Sequence, residues 1–261
     1  MGSEAMPLAE HLRELRKRLI VSVLSIGLGF IPAWVYYPQI FAFLEGPFAS
    51  LEDTQTNVSL VLGGVADPFT LQIQVSSVAA IVLSSPIWLT QLWRFITPGL
   101  YRNEKKWTLL FVFSAVPMIL LGIFSAYFVM PIGLQVLLGF TPSDVENLIA
   151  VDRYFDFFFR ITAVFAIGYL IPLVFIMLNF AGLLLAQTIR SWWRGILMSV
   201  MLFGAIATPT GDPVNMLLVS LPITLLIIVA WFICAANDIR RRRRNKSIIL
   251  KDDEATPIEE L

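Results

Sequence analysis

Charge is scarce in this 261-residue chain. Only 15% of its residues are Asp, Glu, Lys or Arg, against 57% in the hydrophobic set, and the mean hydropathy is +0.76. A soluble domain usually carries about a quarter charged residues, so this one has too few to cover a water-exposed surface. Cysteine occurs once, as Cys234, which excludes an intramolecular disulfide. Histidine also occurs once, as His11, whereas a His/Cys zinc site needs several such ligands. There is no glycine-rich phosphate loop ending in Gly-Lys-Ser/Thr, so the chain is not by itself a P-loop ATPase. No enzymatic activity, metal or cofactor is expected.

What the chain has instead is length without charge. Uncharged stretches run over 19–44, 68–93, 107–143, 161–189, 195–211 and 213–237. A helix needs roughly 20 apolar residues to cross a ~30 Å hydrocarbon layer. Five stretches pass that test, and 195–211 is marginal. The fold class is therefore an all-α polytopic membrane protein with six transmembrane helices, which rules out a soluble fold. The spans are placed at about 19–38, 69–93, 107–131, 160–181, 193–208 and 214–235. Outside cap loops follow at 39–68 and 132–158, and Thr208 to Pro213 forms a hairpin between spans 5 and 6. Residues 1–238 make one membrane domain, and 239–261 a basic anchor with a disordered cytoplasmic tail.

Lysine and arginine set orientation. With the N-terminus inside and six alternating spans, 17 of the 19 basic residues fall on the cytoplasmic side, and only Arg153 and Arg160 fall outside. The sequence thus places both termini in the cytoplasm. The first span has too long an apolar run, and no small-x-small site after it, to read as a cleavable signal. Before it, residues 7–18 read as an amphipathic helix, with Leu8, Leu12, Leu15 and Leu19 on one face. Phe41, Leu44, Phe48 and Leu51 predict an interfacial helix in the first loop, broken near Gly46-Pro47. Pro86, Pro117, Pro172 and Pro222 lie inside spans; they bend helices and can shape a concave face, although prolines are also ordinary in membrane helices. Arg240 to Arg244 reads as a stop-transfer anchor, with lipid or nucleic-acid binding the lesser alternative.

Ion-coupled transporters usually hold an ionisable residue at mid-membrane depth, and these spans hold none there. Their polar residues are Gln72, Gln74, Gln91, Asn179 and Asn215, which more often bond a neighbouring helix than a substrate. A small-molecule channel would need such residues aligned on one face of several spans, which is not seen.

Two segments carry a resemblance, MPLAEHLRELRKRL at 6–19 and SSPIWLTQLWRFITPGLYRNEKK at 84–106. The chain resembles TatC, the C subunit of the twin-arginine protein translocase, over most of its length. The likeness includes Gly46-Pro47, Pro172, and the TPTGDP hairpin followed by Pro222. The resemblance implies a core receptor in a bacterial or archaeal cytoplasmic membrane. Such a receptor binds signal peptides with consecutive arginines at its cytoplasmic face and helps export folded proteins on the proton-motive force. It implies partners too: single-span TatA- and TatB-type subunits, twin-arginine precursors, membrane lipids, and further copies in an oligomeric complex, but no nucleic acid.

Matched residue by residue, the resemblance assigns the arginine-recognising carboxylates to Glu14 and Glu104. Arg16, Gln91, Phe95 and Tyr101 join them at the peptide site. Pro47, Pro86, Pro98, Leu170, Pro172 and Asp212 fall at structural or partner positions. The chemistry agrees, because a carboxylate accepts two parallel hydrogen bonds from a guanidinium, which lysine cannot offer. Plainer roles stand beside these. Glu14 is spaced for a helical pair with Arg18, Asn103 can cap span 3 ahead of Glu104, Phe95 and Tyr101 can anchor in the bilayer, and Asp212 can cap a turn. Two departures are notable: the position two before the span 4 proline, often glutamate or polar in the family, is Leu170, and the place about six residues after the span 6 proline, often glutamate, is held by Ile228 and Val229. An accessory paralogue without full receptor activity is the alternative that Leu170 keeps open.

Overall fold

The computed structural model describes residues 8–52, 58–96, 104–142, 147–208 and 212–253. Tyr101 and Pro98 lie outside them. The described part is nearly all helical: α1 (Leu8–Val35), α2 (Tyr37–Glu52), α3 (Asp67–Leu83), α4 (Ser85–Ile96), α5 (Glu104–Leu138), α6 (Val151–Ala181), α7 (Ala186–Ser191), α8 (Trp193–Ala207) and α9 (Pro213–Asp253). Four of these contain stretches long and apolar enough to cross a membrane: Leu12–Val35, Leu109–Leu138, Val151–Ala181 and Pro213–Arg243. The pair Asp67–Leu83 and Ser85–Phe95, bent by 60°, is long and apolar enough only when its two helices are taken together. The remaining predicted span, the fifth in order at 193–208, falls on α8, an apolar helix of 15 residues, about 22 Å long at 1.5 Å per residue.

The bend has a local cause. Pro86 has no backbone N–H and cannot continue the ladder, so the turn at Ser84 separates α3 from α4. Side chains bond carbonyls at the bend: Ser84 Oγ donates to Ala80 O at 2.7 Å beside the Ser84 N–H, and Trp88 Nε1 donates to Ile81 O at 2.9 Å. By contrast α5, α6 and α9 run through Pro117, Pro172 and Pro222 as single helices.

Helix α2 also continues through Gly46-Pro47, where the sequence predicts a break. One missing donor is not enough to interrupt it, because its buried face is pinned. Phe48 is 1% exposed and meets Tyr154 edge to face at 5.4 Å, and the Tyr154 hydroxyl donates to Leu44 O at 2.9 Å. Pro47 is buried in that same face.

The connections from α2 to α3 and from α5 to α6 meet in a small parallel sheet that the sequence reading did not contain. Strands β1 (Val58–Val61) and β2 (Asn147–Ala150) pair with Val58 opposite Asn147. Much of 132–158 is likewise regular, since α5 extends to Leu138 and α6 starts at Val151. At the other end of the bundle, α9 passes through the arginine run to Asp253, so the first part of 239–261 is helical.

The end of α6 is locked to α9. Gly182 takes φ 81°, and the bonds Leu183 N to Leu178 O and Gly182 N to Asn179 O close the helix in a Schellman turn. Asn179, 1% exposed, donates to Asp238 Oδ1 at 2.9 Å and accepts from Asn237 Nδ2 at 2.9 Å. The second Asp238 oxygen accepts from Ala186 N at 2.8 Å, so a residue of α9 satisfies the free N-terminal N–H of α7. Asp238→Ala strips both donors of their acceptor. The expected loss is about 1–3 kcal/mol, read as a lowered thermal midpoint of the detergent-solubilised protein, with Asp238→Asn retaining part of it.

Candidate functional site

Chain direction alternates along the bundle, so the start of α1, the end of α4, the start of α5, the end of α6, the start of α8 and the end of α9 share one side. On that side α1 and α4 enclose a hollow of about 370 Å³, lined by Glu14, Lys17, Arg18 and Val21 from α1 and by Gln91 and Arg94 from α4. The packing below it follows from apolar spacing on α4. Leu89 is fully buried, and Trp93 stacks on Phe111 of α5 with centroids 3.9 Å apart. That stack ties α4 to the helix that begins at Glu104.

Within the hollow, Arg18 Nε donates to Glu14 Oε1 at 3.0 Å and Arg18 Nη2 closes the ion pair with the same oxygen. Arg18 Nη1 reaches the carbonyl of Gln91 at 3.4 Å. One guanidinium thus clips the carboxylate of α1 to the backbone of α4. The side chains of Glu14 and Arg18 are 27% and 16% exposed, so the pair is only partly screened by water. Three cations face one carboxylate here, and both contacts from Arg18 fall on Oε1, so an incoming guanidinium competes with Arg18 for that oxygen.

The structure brings Glu14 and Gln91 together in this hollow. Arg16 is exposed on α1 and does not line it, and Phe95 is half-buried on α4. Glu104 is the first residue of α5. Pro86 sits at the bend, and Pro172 and Leu170 lie on α6, where Leu170 packs against the apolar cluster around Leu89, Trp93 and Phe111. Asp212 precedes α9 as a cap: it accepts from Asn215 N at 2.7 Å and Asn215 Nδ2 at 2.9 Å. The in-span polar residues mostly bond other parts of the chain, as Gln74 does with Asp156 at 2.7 Å. Lys17, Arg18 and Arg94 were not candidates from sequence; the four-residue spacing of Glu14 and Arg18 is the signal that points to one of them.

The family described as Sec-independent protein translocase protein (TatC) matches residues 10–222. A protein of that name from Frankia casuarinae is 36% identical, over 97% of this chain and 73% of its own length. One from Corynebacterium kroppenstedtii is 33% identical, over 97% and 67%. A crystal structure of the twin-arginine translocase receptor TatC in DDM superposes with a TM-score of 0.74 at 30% identity, over 86% of this chain and 99% of that one.

Proposed function

Since the chain belongs to the TatC family, whose members are multi-pass membrane components of Sec-independent protein translocation, we propose that it is the receptor subunit for signal peptides with consecutive arginines. The supporting observation is the Glu14 hollow between α1 and α4, joined through the Trp93–Phe111 stack to the helix opened by Glu104. A peptide guanidinium competes with Arg18 for Glu14 and pairs with both carboxylate oxygens through two parallel hydrogen bonds, while the neighbouring arginine engages Glu104. Arg18 keeps Glu14 from standing as an unpaired, partly buried charge until then, and Gln91, Phe95 and Tyr101 border the peptide.

The same reading puts six spans in the cytoplasmic membrane with both termini inside and the hollow facing the cytoplasm, where precursors arrive. It assigns export to single-span TatA- and TatB-type partners working with this subunit, drawing on the proton-motive force.

The test is photo-crosslinking in membranes of a precursor carrying paired arginines and of the same precursor carrying paired lysines. Lysine cannot form the bidentate pair, so the crosslink is expected to fall on the order of tenfold with lysines. Equal crosslinking of both precursors would contradict the reading.

A further inference from the structure

As it stands, the hollow between α1 and α4 has the wrong balance of charge for a cationic ligand. Glu14 is its one carboxylate, and Lys17, Arg18 and Arg94 surround it. Arg18 spends two nitrogens on that carboxylate, and both fall on Oε1. Among the described residues, Oε2 accepts no hydrogen bond. The two oxygens of Glu14 are therefore unequal.

That inequality bears on selectivity. Any peptide cation can land on Oε2 without disturbing Arg18. The two parallel bonds that set a guanidinium apart from an ammonium need both oxygens, and Oε1 is held. While Arg18 stays, an arginine at Glu14 makes the same single-oxygen contact as a lysine.

The hold is local. Glu14 four residues ahead of Arg18 is the favourable order for a helical pair, so the contact forms within α1 alone. Partial burial of both side chains leaves it less screened than a pair in open water. Arg18 also has somewhere to stay when Oε1 is taken from it, because its Nη1 lies 3.4 Å from the Gln91 carbonyl. Lys17 and Arg94, which take part in no ion pair among the described residues, still face Glu14 after the exchange.

We propose that Arg18 is a specificity-determining residue: a resident guanidinium on Oε1 that holds the arginine selectivity of Glu14 in reserve. The proposal rests on the receptor reading, and within it leaves most of the discrimination between arginine and lysine to Glu104. It also separates two roles for Arg18. If Arg18 only ties α1 to α4, its removal weakens precursor binding; if it competes for Glu14, its removal strengthens binding.

The test measures the affinity of precursors with paired arginines and with paired lysines for wild type, R18Q, R18K, E14A and E14A/R18Q in reconstituted membranes. R18Q is expected to bind the arginine precursor more tightly on the order of tenfold, and the lysine precursor by a smaller factor. Adding Arg18→Gln to Glu14→Ala is expected to bring no such gain, which separates release of Glu14 from the general benefit of removing a cation. R18K, whose ammonium makes one contact where the guanidinium makes two, is expected to fall between wild type and R18Q. Thermal midpoints show which variants are folded. Should R18Q fail to fold, R18K decides: a gain supports the proposal and no gain overturns it. Unchanged or weaker binding of the arginine precursor by folded R18Q, or an equal gain in E14A/R18Q over E14A, would overturn the proposal while the wild-type preference for arginines stands. Equal binding of the two precursors by wild type would overturn the receptor reading, and the proposal with it.

Discussion

Gly122→Val is expected to cripple the packing of α5 on α6, while the same change at Gly27 is expected to be well tolerated. A Cβ at Gly122 would stand 2.8 Å from the carbonyl oxygen of Phe165 and 2.9 Å from Cα of Ala166. Both atoms are backbone, so no rotamer change relieves the clash, and the two helices must separate. Small residues at such crossings are what let membrane helices approach closely. Overpacking usually costs about 1–3 kcal/mol, and a whole helix pair forced apart places this substitution at the upper end. At Gly27 a Cβ meets nothing within 4 Å. Both sites are helical, so the propensity terms cancel and the difference isolates the crossing. Thermal unfolding of the two variants in one detergent checks it: the Gly122 variant melts well below the Gly27 variant, and equal midpoints would mean that α5 and α6 are not closely packed there.

Much of this architecture is legible in the sequence because the bilayer imposes simple rules. Lengths of uncharged residues locate α1, α5, α6 and α9, and Pro86 marks the bend between α3 and α4. The misses concern features held by long-range contacts. The pairing of β1 with β2 joins four-residue segments far apart in the chain, too short to show an alternating pattern. Pro47 suggests a break in α2, but Phe48 and Tyr154 override it. Asp238 looks in the sequence like no more than the residue that ends the last uncharged stretch. Folded, it anchors α6 and α7 to α9. At the candidate site, the Glu14–Arg18 spacing is readable along one helix, whereas the reach of Arg18 to the Gln91 carbonyl depends on where α4 lies after its bend.

Removal of the two carboxylates is expected to have the largest functional effect. Hydrogen bonds to charged groups are worth about 1.5–3 kcal/mol, so Glu104→Ala is expected to weaken precursor binding on the order of tenfold or more. Glu14→Ala is expected to weaken it less, because Arg18 already competes for that carboxylate and part of its energy is spent on exchange. The double variant is expected to bind precursors with paired arginines no better than those with paired lysines. Loss of export without loss of binding would instead place the carboxylates in a later step.

The most direct measurement is a double-mutant cycle on precursor affinity in reconstituted membranes. It combines wild type and Glu104→Ala with precursors carrying paired arginines or paired lysines, and repeats the set with Glu14→Ala. Contact between carboxylate and guanidinium predicts a coupling energy of about 1 kcal/mol or more, with the lysine precursor nearly indifferent to either substitution. Coupling within error of zero at both glutamates would contradict the account, leaving Glu14 as the partner of Arg18 alone.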